Sequence, residues 1–238
     1  MALCVCGALG ACSGGGAQPV GHQGQLAVAE QMIQNGQYSE GYAILDEVAE
    51  REITSPKLRL DVADTYFNVD ALLKSEDLYR EAVQGGAFAA GTNGLGRVAL
   101  ARNEAAHART YFTSVLAKEP NNIAALNGLG VSYDLDANHA QAQVHYRQVI
   151  ALDRTNTDAL NNYGLSLILD GSVQNAASIL TDLTESNLDN PTSRQNLAIA
   201  YYVMGERDAA MRLAQIDASN DSSERLMAAV VSYRKGHL

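Results

Sequence analysis

Shifting the chain by 34 residues against itself brings Leu95-Gly96, Leu129-Gly130, Tyr163-Gly164 and Leu197-Ala198 into one column. A fixed stride of this length means one supersecondary unit used repeatedly, each copy burying its apolar face against the next. The repeats begin near His22, Pro56, Ala89, Ile123, Thr157 and Pro191. Their eighth place is always small (Ala29, Ala63, Gly96, Gly130, Gly164, Ala198), and so is the twentieth (Gly41, Ser75, Ala108, Ala142, Ala176, Ala210). Bulky residues stand at the seventh and twenty-fourth, as in Val62 and Tyr79, Leu95 and Phe112, or Leu129 and Tyr146. Small side chains facing large ones let two helices approach closely, so each repeat reads as an antiparallel helical hairpin.

The punctuation agrees. Asn35-Gly36, Asp136-Ala137-Asn138 and Asp170-Gly171 fall where the paired helices must turn, and Glu119-Pro120-Asn121-Asn122 stops a helix at the end of the third repeat. The step from Pro56 to Ala89 is one residue short and ends in Gly85-Gly86, which predicts a local change of stacking there. After the last repeat, Asp221-x-x-Glu224 forms a capping box and Leu226, Val230 and Tyr233 share one stripe, with Arg234, Lys235 and Gly236 at the stop. Residues 222–235 therefore read as a helix that covers the end of the stack. Abundant Ala and Leu with only 4 prolines fit an all-α chain.

The fullest repeat, Ile123 to Asn156, carries Leu126, Leu129, Gly130, Tyr133, Ala142, Tyr146 and Leu152 in the order that resembles a tetratricopeptide repeat (TPR). The resemblance implies a TPR α-α superhelix, or solenoid, of about six helical hairpins over 26–238 plus the C-terminal capping helix. Such a fold holds other polypeptides rather than transforming substrates.

Nothing else in the sequence asks for catalysis. The formal charge of −10, with no Lys/Arg cluster, argues against nucleic acid. Cys4, Cys6 and Cys12 all precede the repeats, so the repeats hold no disulfide, thiolate metal site or thiol nucleophile. Gly94-Leu-Gly96 and Gly128-Leu-Gly130 follow no strand and recur at equivalent places, which makes them packing glycines rather than a nucleotide loop. His139 and His145 lack the spacing of a helical metal pair and are expected to face solvent. No enzyme activity, cofactor, metal or small-molecule substrate is expected.

The first twelve residues are small and apolar and too few to span a bilayer. Their end, Leu9-Gly10-Ala11-Cys12, resembles the lipobox of bacterial lipoproteins, which implies cleavage before Cys12 and lipidation of its sulfur. Residues 13–25, rich in Gly, Ser and Gln, read as a flexible tether behind that anchor.

In a TPR stack the first helices line a groove, and the exposed places there are expected to be the second, fifth, ninth, twelfth and thirteenth. The fifth reads Asn93, Asn127, Asn161 and Gln195, an amide in each repeat able to bond the backbone of an extended guest or simply to solvate the helices. Around it stand Arg97, Val131, Leu165 and Ile199 at the ninth place, with Leu100, Asp134, Ile168 and Tyr202 at the twelfth. Arg97 alone does not make the paired-cation clamp that grips a C-terminal carboxylate.

One stretch is more particular. Thr192-Ser-Arg-Gln-Asn-Leu-Ala-Ile-Ala-Tyr201, followed by Gly205-Glu-Arg-Asp-Ala209, is similar to TadD, the TPR lipoprotein family of tight-adherence (Flp) pilus machines. This resemblance implies a lipid-anchored protein on the periplasmic face of the outer membrane, with a secretin or pilus assembly components as partners. A pilotin-like lipoprotein of another secretion system, and a soluble TPR adaptor without lipid, are the alternatives.

Overall fold

The structure is a computed structural model that describes residues 21–51, 55–186 and 190–216; the lipobox segment, most of the tether and the capping helix over 222–235 lie outside the described residues. The chain divides into two compact units, Met1–Glu52 and Ile53–Leu238. In the first, α1 (His22–Gln34) and α2 (Tyr38–Arg51) form one hairpin around Leu26, Ala29, Ile33, Leu45 and Val48. Because α1 begins at His22, residues 22–25 are helical rather than part of a tether.

The second unit holds, among the described residues, five hairpins: α3 (Pro56–Asn68) with α4 (Leu72–Gln84), α5 (Phe88–Ala101) with α6 (Ala105–Leu116), α7 (Ile123–Leu135) with α8 (His139–Leu152), α9 (Thr157–Leu169) with α10 (Val173–Ser186), and α11 (Pro191–Met204) with α12 (Arg207–Ala214). No strand occurs among the described residues.

Local chemistry explains the helix ends. Asn122, Asn156 and Asn190 each accept the N–H three residues on, at 3.0 to 3.1 Å, and Ser55 does the same at 3.2 Å. These side chains satisfy donors that have no partner inside the helix. The start of α5 has no side-chain cap. There, at the short step in the repeat, Gly86 takes φ +97° and the Ala87 N–H closes α4 onto the Ala82 carbonyl at 2.9 Å.

Every hairpin turns on a left-handed residue at its fifteenth place: Gly36, Asp70, Asn103, Ala137, Gly171 and Gly205, with φ between 57° and 95°. Asp and Asn tolerate that conformation better than most side chains, whereas Ala137 carries the Cβ penalty that glycine avoids.

Packing inside the second unit follows from the small places. A Cβ added to Gly96 or Gly128 would come within 2.5 and 2.3 Å of the buried Phe112 ring, and one on Gly94 within 2.4 Å of Tyr79. Phe112 thus lies against its own first helix and the next one, joining consecutive hairpins.

Polar ties add register on the opposite side. The twenty-first place of one repeat reaches the fourteenth of the next: Glu76 to Arg102 at 2.6 Å, Arg109 to Asp136 at 2.7 Å, and Gln143 to Asp170. The sign of the pair reverses between the first two junctions. A slipped stack would therefore set like charges together.

Candidate functional site

The contacts among helices show how the hairpins of the second unit stack. Each first helix touches the next first helix, α3 to α5, α5 to α7, α7 to α9 and α9 to α11, whereas no second helix touches another among the described residues. Hairpins stacked this way bend with their first helices on the inside. Those helices form a continuous inner wall, and the second helices fan apart with grooves between them.

Along the wall, the fifth-place amides are largely occupied by their own neighbours. Asn162 at the sixth place donates to the Asn127 Oδ1 at 3.1 Å, and Asn196 donates to the Asn161 Oδ1 at 3.4 Å. Amides in adjacent repeats thereby form rungs that tie α7 to α9 and α9 to α11. Asn93 finds no such donor, because the sixth place of the next repeat is Gly128, kept free of a side chain by Phe112. It turns instead to the cap of α7, donating to the Asn122 Oδ1 at 3.1 Å, while its own Oδ1 is buried without a donor among the described residues.

These rungs correct the expected list of open wall residues. Asn93 and Asn161 are 8% and 4% exposed, and Ile168 and Ile199 are 0% and 3% exposed, within the cluster that also buries Leu180 and Leu197. The fifth place, and toward the C-terminus the ninth and twelfth, sit on the seam where one first helix meets the next, and the neighbouring helix covers them. Gln195 is exposed, while Asn127, Val131, Leu165 and Tyr202 are half-buried. Arg97 is half-exposed, donates to Asp64 at 2.7 Å and lies 4.2 Å over the Phe67 ring, so it is already paired. The wall is ionic at α3 and α5 and apolar with amide groups from α7 onward.

Asp134 is a wall residue that ties two repeats together. Its Oδ1 accepts from Ser166 on α9 and pairs with the His139 Nδ1 on α8, both at 2.7 Å, and its Oδ2 accepts from the Tyr146 hydroxyl at 2.9 Å. A single carboxylate thus joins three helices from two repeats. Burial raises the Asp134 carboxyl above its ordinary value of 3.8, although the three donors pull the other way. Burial also raises the Tyr146 hydroxyl, so it stays a donor at physiological pH. His139, expected in solvent, is buried here, and His145 stacks on Tyr133 with centroids 5.5 Å apart. The signal for the cluster was present in the sequence: the tyrosine of the twenty-fourth place has a hydroxyl that must bond on burial, and Asp134 is the acceptor within its own repeat.

Among the described residues no group of metal-ligating side chains is assembled, and no helix is long and apolar enough to cross a membrane.

No family model and no curated protein matches the chain in sequence. Solved structures do match in shape. The thermophilic TPR protein TTC0263 of Thermus thermophilus is 16% identical with a TM-score of 0.65, over 74% of this chain and 99% of that one. PilW, a type IV pilus biogenesis factor, is 18% identical with a TM-score of 0.64, over 90% of this chain and 100% of its own. PilF of Pseudomonas aeruginosa is 15% identical with a TM-score of 0.58, over 91% and 96%. At such identities the likeness establishes architecture alone, and the architecture is that of a tetratricopeptide-repeat helical solenoid.

Proposed function

We propose that this chain is a protein-holding scaffold whose guest is an extended polypeptide lying along the inner wall, across Asn127, Val131, Leu165, Gln195 and Tyr202. The observation that carries this reading is the unbroken contact of first helix with first helix, which makes one continuous surface of half-buried apolar groups and amides. Amides bond a main chain without reading its side chains, and the apolar places between them give alternate side chains somewhere to rest. Arg97, already paired to Asp64, is not a free cation for a terminal carboxylate of the guest.

The setting we propose is the periplasmic face of the outer membrane, with lipid on Cys12 as anchor and the secretin of a tight-adherence (Flp) pilus as partner. The resemblance of Thr192–Tyr201 and Gly205–Ala209 to the TadD family supports it. A second reading, a pilotin-like lipoprotein of another secretion or pilus system, is favoured by the shared architecture with PilW and PilF, both over at least nine-tenths of the chain.

The test combines anchor and wall. Cys12→Ser is expected to move the protein from membranes to the soluble fraction with its helix content intact. Val131→Glu with Leu165→Glu is expected to keep the protein on membranes but lower co-purified secretin about tenfold, since two charges would be desolvated against the guest. Undiminished secretin recovery in the double variant would remove the wall from the account. Recovery of a secretin from a system other than the Flp pilus would favour the second reading.

A further inference from the structure

Beside its amides, the inner wall carries a second regular feature. The thirteenth place reads Leu135, Leu169 and Val203 in three consecutive repeats, after Asn68 and Ala101 in the two before. Leu135 is 41% exposed, and Leu169 and Val203 are half-buried, so all three present aliphatic surface. Val131 and Leu165, also half-buried, stand one turn back from Leu135 and Leu169 on the same helix faces. From α7 to α11 the wall therefore offers one aliphatic step per repeat.

A periodic wall selects a guest of matching period. Asn162 on Asn127 at 3.1 Å and Ser166 on Asp134 at 2.7 Å hold α7 and α9 together in both halves of their length. Asn196 on Asn161 at 3.4 Å, with Ile168 and Ile199 buried in one cluster, does the same for α9 and α11. Packed helices lie about 8–10 Å apart, so the aliphatic steps recur at about that interval. An extended strand sets its same-side chains only about 6.7 Å apart and is out of step by the third helix. A polyproline II chain turns once in three residues and brings the same face round every ~9.3 Å. An α-helix returns after seven residues, at about 10.5 Å, but its main chain is already bonded internally and leaves nothing for a wall amide such as the exposed Gln195. Polyproline II has no internal hydrogen bonds, so its main chain is free for that amide.

We infer that the guest of the inner wall is a polyproline II segment with an aliphatic residue at every third position, three such residues resting in turn against Leu135, Leu169 and Val203. The inference rests on the reading that the wall holds an extended polypeptide, and narrows it to one backbone conformation and one spacing. Proline directly after each aliphatic residue suits the segment, because it keeps its predecessor out of the helical region.

The test is fluorescence anisotropy of the full chain with three labelled peptides: three Leu-Pro-Gln triplets, an isomer of the same composition with leucine at every second place, and a Leu-Thr alternating peptide of equal length. The triplet peptide is expected to bind at least about tenfold more tightly than either control. Leu169→Gln, at the middle step, is expected to weaken the triplet peptide at least about tenfold, since one leucine loses its apolar seat. Should that variant lose helix content, Leu135→Gln, at an exposed position, carries the test and is expected to weaken the same peptide about fivefold. A control that binds as tightly as the triplet peptide, with the wall variants weakening both, overturns the spacing and leaves the wall as the holding surface. Triplet binding that neither variant weakens overturns the inference and the wall reading together. No saturable binding of the triplet peptide overturns the inference, while crosslinking from Val131 and Gln195 decides the wall reading separately.

Discussion

Gly130→Leu is expected to destabilise the second unit by about 3 kcal/mol, the upper part of the range for overpacking a close-packed core, and to lower its thermal midpoint by roughly 10 °C. A Cβ alone would stand 2.3 Å from the Tyr146 Cε1 and 2.7 Å from its Cζ. The ring cannot withdraw cheaply: it is 1% exposed, and its hydroxyl is fixed on Asp134 at 2.9 Å. Either α7 and α8 separate, which opens the seam with α9, or the tyrosine leaves its acceptor. Thermal unfolding followed by circular dichroism checks this, and an unchanged midpoint would mean that the repeat register is wrong. In a repeat array the loss can also split the transition, because neighbouring hairpins are coupled only through their interfaces.

Asp134→Ala is expected to cost a comparable amount, about 3 kcal/mol, because it leaves three buried donors without their shared acceptor. Ser166, His139 and Tyr146 come from α8 and α9, so the change weakens the hairpin and the junction beyond it together. Asp134→Asn keeps an acceptor and is the milder control. The same residue sets a pH dependence whose sign can be stated. Its carboxyl is raised in the folded state above 3.8, so the folded chain holds this proton more tightly than the unfolded one. The ionised carboxylate therefore costs stability at neutral pH, and that cost is relieved as the pH falls through the raised value toward 3.8. Denaturant melts from pH 7 to pH 4 should show wild type gaining on Asp134→Asn as the pH falls. A difference that moves the other way would show that the donors outweigh burial.

Much of the architecture was legible because its causes are local. Small residues at the eighth and twentieth places, opposed by bulky ones at the twenty-fourth, and turn residues such as Asn35-Gly36 and Asp170-Gly171 act within one hairpin. The wall was less legible because its exposure is decided between repeats. Both Asn93 and Asn161 are buried by the following repeat, and the partner each finds depends on what that repeat carries at its sixth place, Gly128 in one case and Asn196 in the other. Ile168 and Ile199 look like groove residues by position, but they drop into the seam where first helices meet. Asp134 shows a similar limit: it reads as a surface acid at the end of a helix, and one of its donors, Ser166, comes from the following hairpin.

The claim that the inner wall holds a polypeptide is tested most directly by a photoreactive phenylalanine analogue placed at single positions in cells. Val131 and Gln195 sample the wall, and Gln148 and Ser178 sample the outer faces of α8 and α10, where both side chains are exposed. Crosslinks to a secretin or another pilus component are expected from the two wall positions at about ten times the yield from the outer pair. Equal yields from both sides, or adducts from the outer positions alone, would contradict the account.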